Sequence, residues 1–217
     1  LWALLLRSDS LLLGWSRGKA LVGIYSIAVL LAELLWYLPR SLTFALSARV
    51  ASATTAEAIS LVQRAARIGL WTVIAAGALL AAVSPFLIRL LLGPAFAASY
   101  RPLLLLLPGI LAGAVAAPLS LFLTQHRGKP RINAWISGLG LAVNLALNLW
   151  WIPRHGASGA AASSSIAYAL VALLLVWQLR REPGFSWLRL LLLRRGDVDE
   201  AIAMIRRRPG VPQRRDG

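Results

Sequence analysis

Two long apolar stretches separated by a short polar link constrain this chain more than any other feature. The stretches cover residues 132–152 and 158–179, and the link contains Pro153-Arg154-His155-Gly156. A helix needs about 20 mostly apolar residues to cross a bilayer, so each stretch is long enough to do so. Because the link is so short, the two helices must form a tight antiparallel pair. The sequence therefore predicts an integral membrane protein.

Earlier parts of the chain repeat this apolar character. The further stretches are residues 1–13, 21–47, 68–92 and 102–124. Charged residues make up only 14% of the chain, against about 25% in soluble domains, and the runs are too long and too uniformly apolar for barrel strands. We therefore predict an all-α integral membrane protein, with a six-helix transmembrane bundle over residues 1–180. Its first helix is expected to be truncated, because Leu1 already lies inside an apolar run.

Prolines and one polar segment are expected to shape these helices. Proline removes a backbone donor and kinks a helix, and such kinks are tolerated in membranes where neighbouring helices cover the freed carbonyls. The prolines within or at the ends of apolar runs are Pro39, Pro85, Pro108 and Pro118. Bent helices that pack against one another are predicted. Residues 48–67 are more polar and predict a connector, with a short surface helix as the alternative.

The positive charge predicts an orientation. Three segments, 48–67, 125–131 and 180–217, contain 16 of the 23 Lys and Arg residues, and the loops on the other side contain five. Cytoplasmic loops carry an excess of Lys and Arg, so we expect a multi-pass protein of the bacterial inner membrane with a cytoplasmic C-terminus. The basic tail 181–217 should have an amphipathic anchor at 185–193 and a disordered end. This distribution favours the lipid bilayer, and not nucleic acid, as the partner.

The sequence offers little for catalysis. It contains no Cys, which excludes disulfides, thiolate zinc sites and cysteine nucleophiles. No zinc-protease, serine-hydrolase or phosphate-loop motif is present. Both histidines, His126 and His155, lie in or next to predicted loops and are interpreted as turn residues. We predict no catalytic residue, no metal and no cofactor, and therefore a protein that is not an enzyme.

Ionisable residues inside the apolar runs are the best candidates for a site. Such groups are costly in hydrocarbon and usually face a bundle interior or a wet cavity. Four residues qualify: Arg7, Asp9, Glu33 and Arg40. Glu33 and Arg40 are seven residues apart, which would place them on one stripe of one helix and indicate a cavity wall. The alternative is that these charges pair with each other or with missing helices and serve packing alone.

Two amides and several small residues occupy the last two apolar runs. Asn144 and Asn148 are four residues apart, on one helix face. Buried amides either join helices or line a polar path, and joining helices is the favoured interpretation. Small residues at four-residue spacing, such as Gly159 and Ser163, predict a close approach between two helices.

Three stretches resemble a known family. Residues 144–161 read NLALNLWWIPRHGASGAA, which resembles the "N…LN…IP-x-x-G-x-x-GAA" signature of polysaccharide flippases, members of the multidrug/oligosaccharidyl-lipid/polysaccharide exporter superfamily. RSDSLLLG at residues 7–14, followed by VGIYSIA at 22–28, and LLGPAF at 91–96 are similar to further segments of that family. The resemblance covers about residues 5–180. The chain departs from the pattern at residues 48–51, ARVA, where the family usually has a proline.

The resemblance implies a fold and a function. Family members resemble two six-helix halves that face each other, so this chain would be the C-terminal lobe of a two-lobe flippase whose N-terminal lobe is missing. The implied activity is translocation of an undecaprenyl-diphosphate-linked oligosaccharide across the bacterial inner membrane, by alternating access, for surface polysaccharide synthesis. Arg7 and Arg40 are expected to contact the anionic substrate, with Asp9 and Glu33 as their partners or as proton-coupling groups. Asn144 and Asn148 complete the predicted substrate-binding set.

Other functions stay open. The chain could belong to a related drug/cation antiporter or to a peptidoglycan-precursor flippase. A drug antiporter should have a site rich in acidic residues, and only Asp9 and Glu33 qualify here, which favours an anionic substrate. A non-transporting fragment or membrane scaffold is the remaining alternative.

Overall fold

Helices form the whole architecture of the described chain. The structure, a computed structural model, describes residues 2–192, apart from the side chains of residues 2–7 and 38. The helices are α1 Trp2–Arg17, α2 Lys19–Leu34, α3 Tyr37–Ser52, α4 Thr55–Leu92, α5 Tyr100–Leu121, α6 Pro130–Leu179 and α7 Trp187–Leu191. A 3₁₀ turn, Pro94–Ser99, precedes α5, and a π-helical turn, Phe122–His126, follows it. No strand occurs within residues 2–192, so the predicted all-α class is confirmed.

Within residues 2–192, three helices are long and apolar enough to cross a membrane. They are α4, α5 with its flanking turns, and α6, and the bent pair α2–α3 makes a fourth if it counts as one span. Large apolar side chains face outward on these helices; Phe44 is 82% exposed and Trp135 is 81% exposed. Such a surface is stable against lipid but not against water.

Pro39 explains why α2 and α3 are not one straight helix. The two helices meet at an angle of 47°. Proline has no N–H to donate. Just before it, the N–H groups of Leu35 and Trp36 donate to carbonyls three residues earlier, and not four as in a regular α-helix. Glu33 therefore ends α2 while Arg40 belongs to α3. The predicted stripe through both residues is therefore divided between two helices by the bend.

The polar segment 48–67 is helical almost throughout. α3 continues to Ser52 and α4 already begins at Thr55, so the predicted connector consists of two helix ends and the short turn between them. The start of α4 is fixed by Thr54, whose backbone N–H donates to Glu57 Oε2 at 3.0 Å, as in a capping box. Thr54 and Glu57 form a recognisable capping pair in the sequence, but the apolar run that predicts this helix begins only at residue 68.

α6 is a hairpin, not a single rod. A straight helix of 50 residues would be about 75 Å long, but Gly156 interrupts it with φ 56° and ψ −133°. Asn144 Nδ2 donates to Ser164 Oγ at 3.2 Å, although 20 residues separate them. The two arms, residues 130–155 and 157–179, therefore run antiparallel, as the short link predicts. Gly159 lies so close to the other arm that a Cβ there would be 2.6 Å from the Trp151 carbonyl oxygen.

The bundle has two distinct ends. At one end, which we call the His126 end, His126 Nδ1 lies 3.1 Å from the Val50 carbonyl oxygen, and Arg127 forms an ion pair with Glu182. The hydrogen bonds to that carboxylate raise the pKa of Arg127 above its ordinary value. The basic segments around residues 50, 127 and 182 thus lie together. At the other end, which we call the Arg154 end, the Arg17 guanidinium donates to the Pro153 carbonyl.

The first part of the tail is docked on α4. Gln63 Nε2 donates to the Ser186 carbonyl at 2.8 Å, and Trp71 Nε1 donates to the Leu191 carbonyl at 2.8 Å. The Arg67 guanidinium donates to the Arg189 carbonyl between them. The predicted amphipathic anchor is thus a five-residue helix, α7, held along α4. The rest of the predicted tail, including its disordered end, lies outside the described residues.

Candidate functional site

A buried carboxylate joins three helices at the centre of the bundle. Asp9, on α1, is only 1% exposed. It accepts hydrogen bonds from the Tyr25 hydroxyl on α2 and, at 2.9 Å, from Ser164 Oγ on α6. The backbone N–H of Ser10 adds a third donor, at 2.7 Å. A buried polar group is costly unless it is hydrogen-bonded, and these three donors satisfy the oxygens of Asp9.

The two predicted amides extend this network. Asn148 Nδ2 donates to Asn144 Oδ1 at 2.9 Å, and Asn144 Oδ1 also accepts from Ser8 Oγ at 3.0 Å. Asn144 Nδ2 reaches Ser164 across the hairpin. Both amides are buried. Asn144 joins α1 to the two arms of α6, whereas Asn148 bonds to Asn144 on its own arm. Substrate contact by Asn144 and Asn148 stays a prediction.

The network lies near the middle of the bundle's depth. Asn144 and Ser164 are twelve and eight residues from Gly156, which corresponds to roughly 12–18 Å along each arm. The hydrocarbon core of a bilayer is about 30 Å thick. The carboxylate and the amides therefore lie at the depth where water is scarcest and an unpaired polar group costs most.

Trp36 connects this centre to an open groove. Its indole N–H donates to the Ile110 carbonyl at 3.0 Å, and its ring centroid lies 5.6 Å from that of Tyr168. A small cavity beside it is lined by both Asp9 and Glu33. The Arg40 guanidinium carbon lies 4.8 Å from the centroid of the same ring, within the range of a cation–π contact.

Arg40 lines the groove that could hold a ligand. The groove has a volume of about 220 Å³ and is formed by α3, α5 and both arms of α6. Arg40 itself is exposed, and Ser120, Asn133 and Ser137 add polar groups to the lining. The remaining lining residues are mostly small or apolar. One fixed cation among small neutral residues suits an anionic group.

Of the predicted site residues, the structure brings Asp9, Asn144 and Asn148 into one hydrogen-bonded network. Glu33 lines the small cavity beside Asp9, and Arg40 lies against Trp36 in the groove. The side chain of Arg7 lies outside the described residues. Sequence reasoning missed Tyr25, Trp36 and Ser164, which are ordinary residues of apolar helices until the fold brings them beside Asp9. The one sequence signal for them is the acid within an apolar helix, because such an acid needs partners from neighbouring helices.

A serine side chain modifies α5 beside this centre. Ser165 Oγ accepts from the Gly109 N–H at 3.2 Å and donates to the Leu105 carbonyl. It therefore inserts between two groups of α5 that are four residues apart and would pair with each other in a regular helix. Pro108 lies in the same turn. Inserted side chains and prolines are the usual causes of a helix bend.

The sequence profile of the MatE family matches residues 3–150, which is more than half of the chain. The chain belongs to the MatE family. No curated protein and no solved structure gives a significant match. The matched region contains α1 to α5 and most of the first arm of α6, and so it includes Asp9, Trp36 and Arg40. MatE proteins are membrane transporters of the exporter superfamily that the sequence motifs resemble.

Family membership fits the structure at the level of the whole chain. A MatE exporter must have several membrane-crossing helices, and the described part of the chain has three to four that are long and apolar enough. The chain is therefore a membrane transporter and a multi-pass membrane protein. The substrate of this MatE chain does not follow from the family alone.

Proposed function

We propose that this MatE chain is one lobe of a flippase that moves an undecaprenyl-diphosphate-linked oligosaccharide across the bacterial inner membrane for surface polysaccharide synthesis. The lobe would consist of six crossings, with α2–α3 and the two arms of α6 as three of them. Its partners would be the lipid bilayer, the lipid-linked substrate and an opposing N-terminal lobe. The motifs at residues 7–28, 91–96 and 144–161 support this assignment within the exporter superfamily.

The exposed cation in the groove is the observation that carries the proposal. Arg40 lies against Trp36 and presents its guanidinium to a groove of about 220 Å³. A guanidinium can bind phosphate oxygens through two parallel hydrogen bonds. In the proposed carrier this group contacts the diphosphate, while Asn133 and Ser137 contact neighbouring sugar or phosphate oxygens.

The buried acid has a different role in this proposal. Asp9 is 1% exposed and accepts bonds from two helices, so it does not face the groove. A related drug/cation antiporter would need an acid that a cationic drug can reach. The arrangement therefore supports an anionic cargo, with Asp9 and Glu33 as coupling or positioning groups.

The experiment changes Arg40 in the chromosomal gene, so that the chain keeps whatever partner it has in the cell. Arg40→Ala should abolish export of surface polysaccharide, and Arg40→Lys should retain part of it because the charge remains. Arg89→Ala is the matched control, since Arg89 is exposed on α4 and lines a different groove. Membrane levels of each variant are measured by immunoblot.

Two results would contradict the proposal. Unchanged export by Arg40→Ala at normal membrane levels would remove Arg40 from the site. Normal polysaccharide export in a strain without the gene, together with a loss of cationic dye efflux, would assign the chain to the drug/cation antiporters.

A further inference from the structure

The Arg154 end contains a second cleft, separate from the groove of Arg40. It has a volume of about 620 Å³, within the range of about 300–1,000 Å³ typical of small-molecule sites. It opens between the end of α1, the starts of α2 and α5, and the turn of the α6 hairpin. Three arginines, Arg17, Arg101 and Arg154, lie in its lining together with His155.

The three arginines of the cleft, Arg17, Arg101 and Arg154, have guanidinium N–H groups that are available to a ligand. The Arg17 guanidinium donates to the Pro153 carbonyl, and Arg154 donates to the Trp150 carbonyl at 2.6 Å. Each guanidinium has five N–H donors, so one bond leaves most of them available. Arg101 has no hydrogen-bond or ion-pair partner among the described residues. All three side chains are exposed to the cleft or to solvent.

No carboxylate neutralises this charge within the described part of the chain. The acidic residues there are Asp9, Glu33, Glu57 and Glu182, and none of them lines the cleft. Glu57 and Glu182 belong to the His126 end, and Asp9 is buried at the centre of the bundle. The cleft is therefore a concentration of positive charge to which residues 8–192 supply no counter-ion.

The helix directions reinforce the charge. α2, α5 and the second arm of α6 all begin at this end, and Leu21, Arg101 and Gly159 from their first turns line the cleft. A helix N-terminus carries a partial positive charge and favours anions. The starts of α2 and of the second arm of α6 add to the three guanidinium groups. The start of α5 is already capped, because the Tyr100 N–H donates to the Ala97 carbonyl. Apolar side chains, among them Ile24, Leu105 and Trp151, form the rest of the lining.

We propose that this cleft binds the phosphate group of an anionic amphiphile, with the phosphate on Arg17, Arg101 and Arg154 and the hydrocarbon along the apolar lining. Arginine is suited to phosphate because its planar fork matches two phosphate oxygens. The cleft lies where membrane-crossing helices end, which is the depth of lipid head groups. The proposal does not depend on the cargo assigned to the Arg40 groove.

The test measures binding to the purified full chain in a non-ionic detergent. The probes are a short-chain phosphatidylglycerol, the matching phosphatidylcholine and inorganic phosphate, each titrated by calorimetry. Phosphatidylglycerol should bind, and Arg101→Gln should weaken that binding at least tenfold, because its guanidinium is the one with every donor available. Arg101→Lys should restore part of the affinity. Arg89→Gln, which removes a charge at the same end but outside the cleft, should change affinity less than twofold.

The three probes separate the source of the anion. Tighter binding of phosphatidylglycerol than of the other two probes supports a lipid head group. Equal binding of inorganic phosphate, with the same loss in Arg101→Gln, supports the anion site but assigns it to a soluble phosphate. Equal losses in Arg101→Gln and Arg89→Gln, or no loss in either at an unchanged unfolding temperature, would overturn the proposal.

Discussion

Single residues at the centre of the bundle are fixed by close contacts. A Cβ on Gly113 would lie 2.7 Å from Cζ2 of Trp36, so the indole that connects the buried acid to the groove fits only because position 113 has no side chain. The indole is also held by its bond to the Ile110 carbonyl. Gly113 is therefore required by packing and not by backbone conformation.

Gly113→Ala is expected to destabilise the chain by about 1–3 kcal/mol, the usual cost of forcing an extra carbon into a packed interior. The unfolding temperature in detergent measures this. Gly23→Ala is the control, because a Cβ there meets only Phe96 Cε1 at 3.9 Å. In a Trp36→Leu background the Gly113→Ala penalty should shrink, and an unchanged penalty there would show that the indole is not the cause.

Tyr25→Phe removes one donor from the Asp9 carboxylate without changing the shape of the side chain. Hydrogen bonds between membrane helices contribute about 0.6 kcal/mol on average and up to about 1.7, and we expect a loss near the upper value because Asp9 is buried. Tyr37→Phe, at a residue 69% exposed, should leave the unfolding temperature unchanged. Equal effects of the two variants would contradict the network described for Asp9.

At the scale of elements, the turn within α6 decides how the last two crossings pair. Gly156 has φ 56° and ψ −133°, a region that is open to glycine and strained for other residues. Bonds and contacts on both sides of it, such as Asn144 to Ser164, depend on the arms meeting in this register.

Gly156→Ala should therefore cost about 1–3 kcal/mol through backbone strain. A Cβ at this position also meets Leu21 Cδ1 at 3.5 Å. The helical control is Gly77→Ala, where the nearest atoms are side-chain tips at 3.7 Å and alanine is the better helix former. A Gly156→Ala chain as stable as the parent would show that the arms can pair through another turn.

At the scale of the whole molecule, the two ends differ in charge and in partners. The sequence contains no Cys, so a single introduced cysteine reports its own side of the membrane. If the C-terminus is cytoplasmic, Ser16→Cys should react with a membrane-impermeant maleimide in intact spheroplasts, and Lys129→Cys only after permeabilisation. The reverse pattern would place the His126 end outside and would contradict the orientation read from Lys and Arg.

The positions of the apolar runs predicted the helices well, because length and hydropathy decide which segments can cross a bilayer. The hairpin at Gly156 and the role of Asn144 in joining helices were also within reach of the sequence. The extent of α4 was not, because Gln63 and Arg67 look like connector residues until the tail covers them. Nor was the role of Trp36, which depends on helices that are far apart in sequence. The sequence contains Arg17, Arg101 and Arg154 but does not predict that they line one cleft.

The tail contact on α4 has a consequence for shortening the chain. Removal of every residue after Arg181 would leave the side-chain donors of Gln63 and Trp71 without the main-chain oxygens they now use. It would also remove the buried side chain of Leu190. A shortened protein that keeps every membrane crossing should therefore melt at a lower temperature than the intact one. Residues 182–192 thus stabilise α4 between Gln63 and Trp71, and their deletion should destabilise that part of the helix.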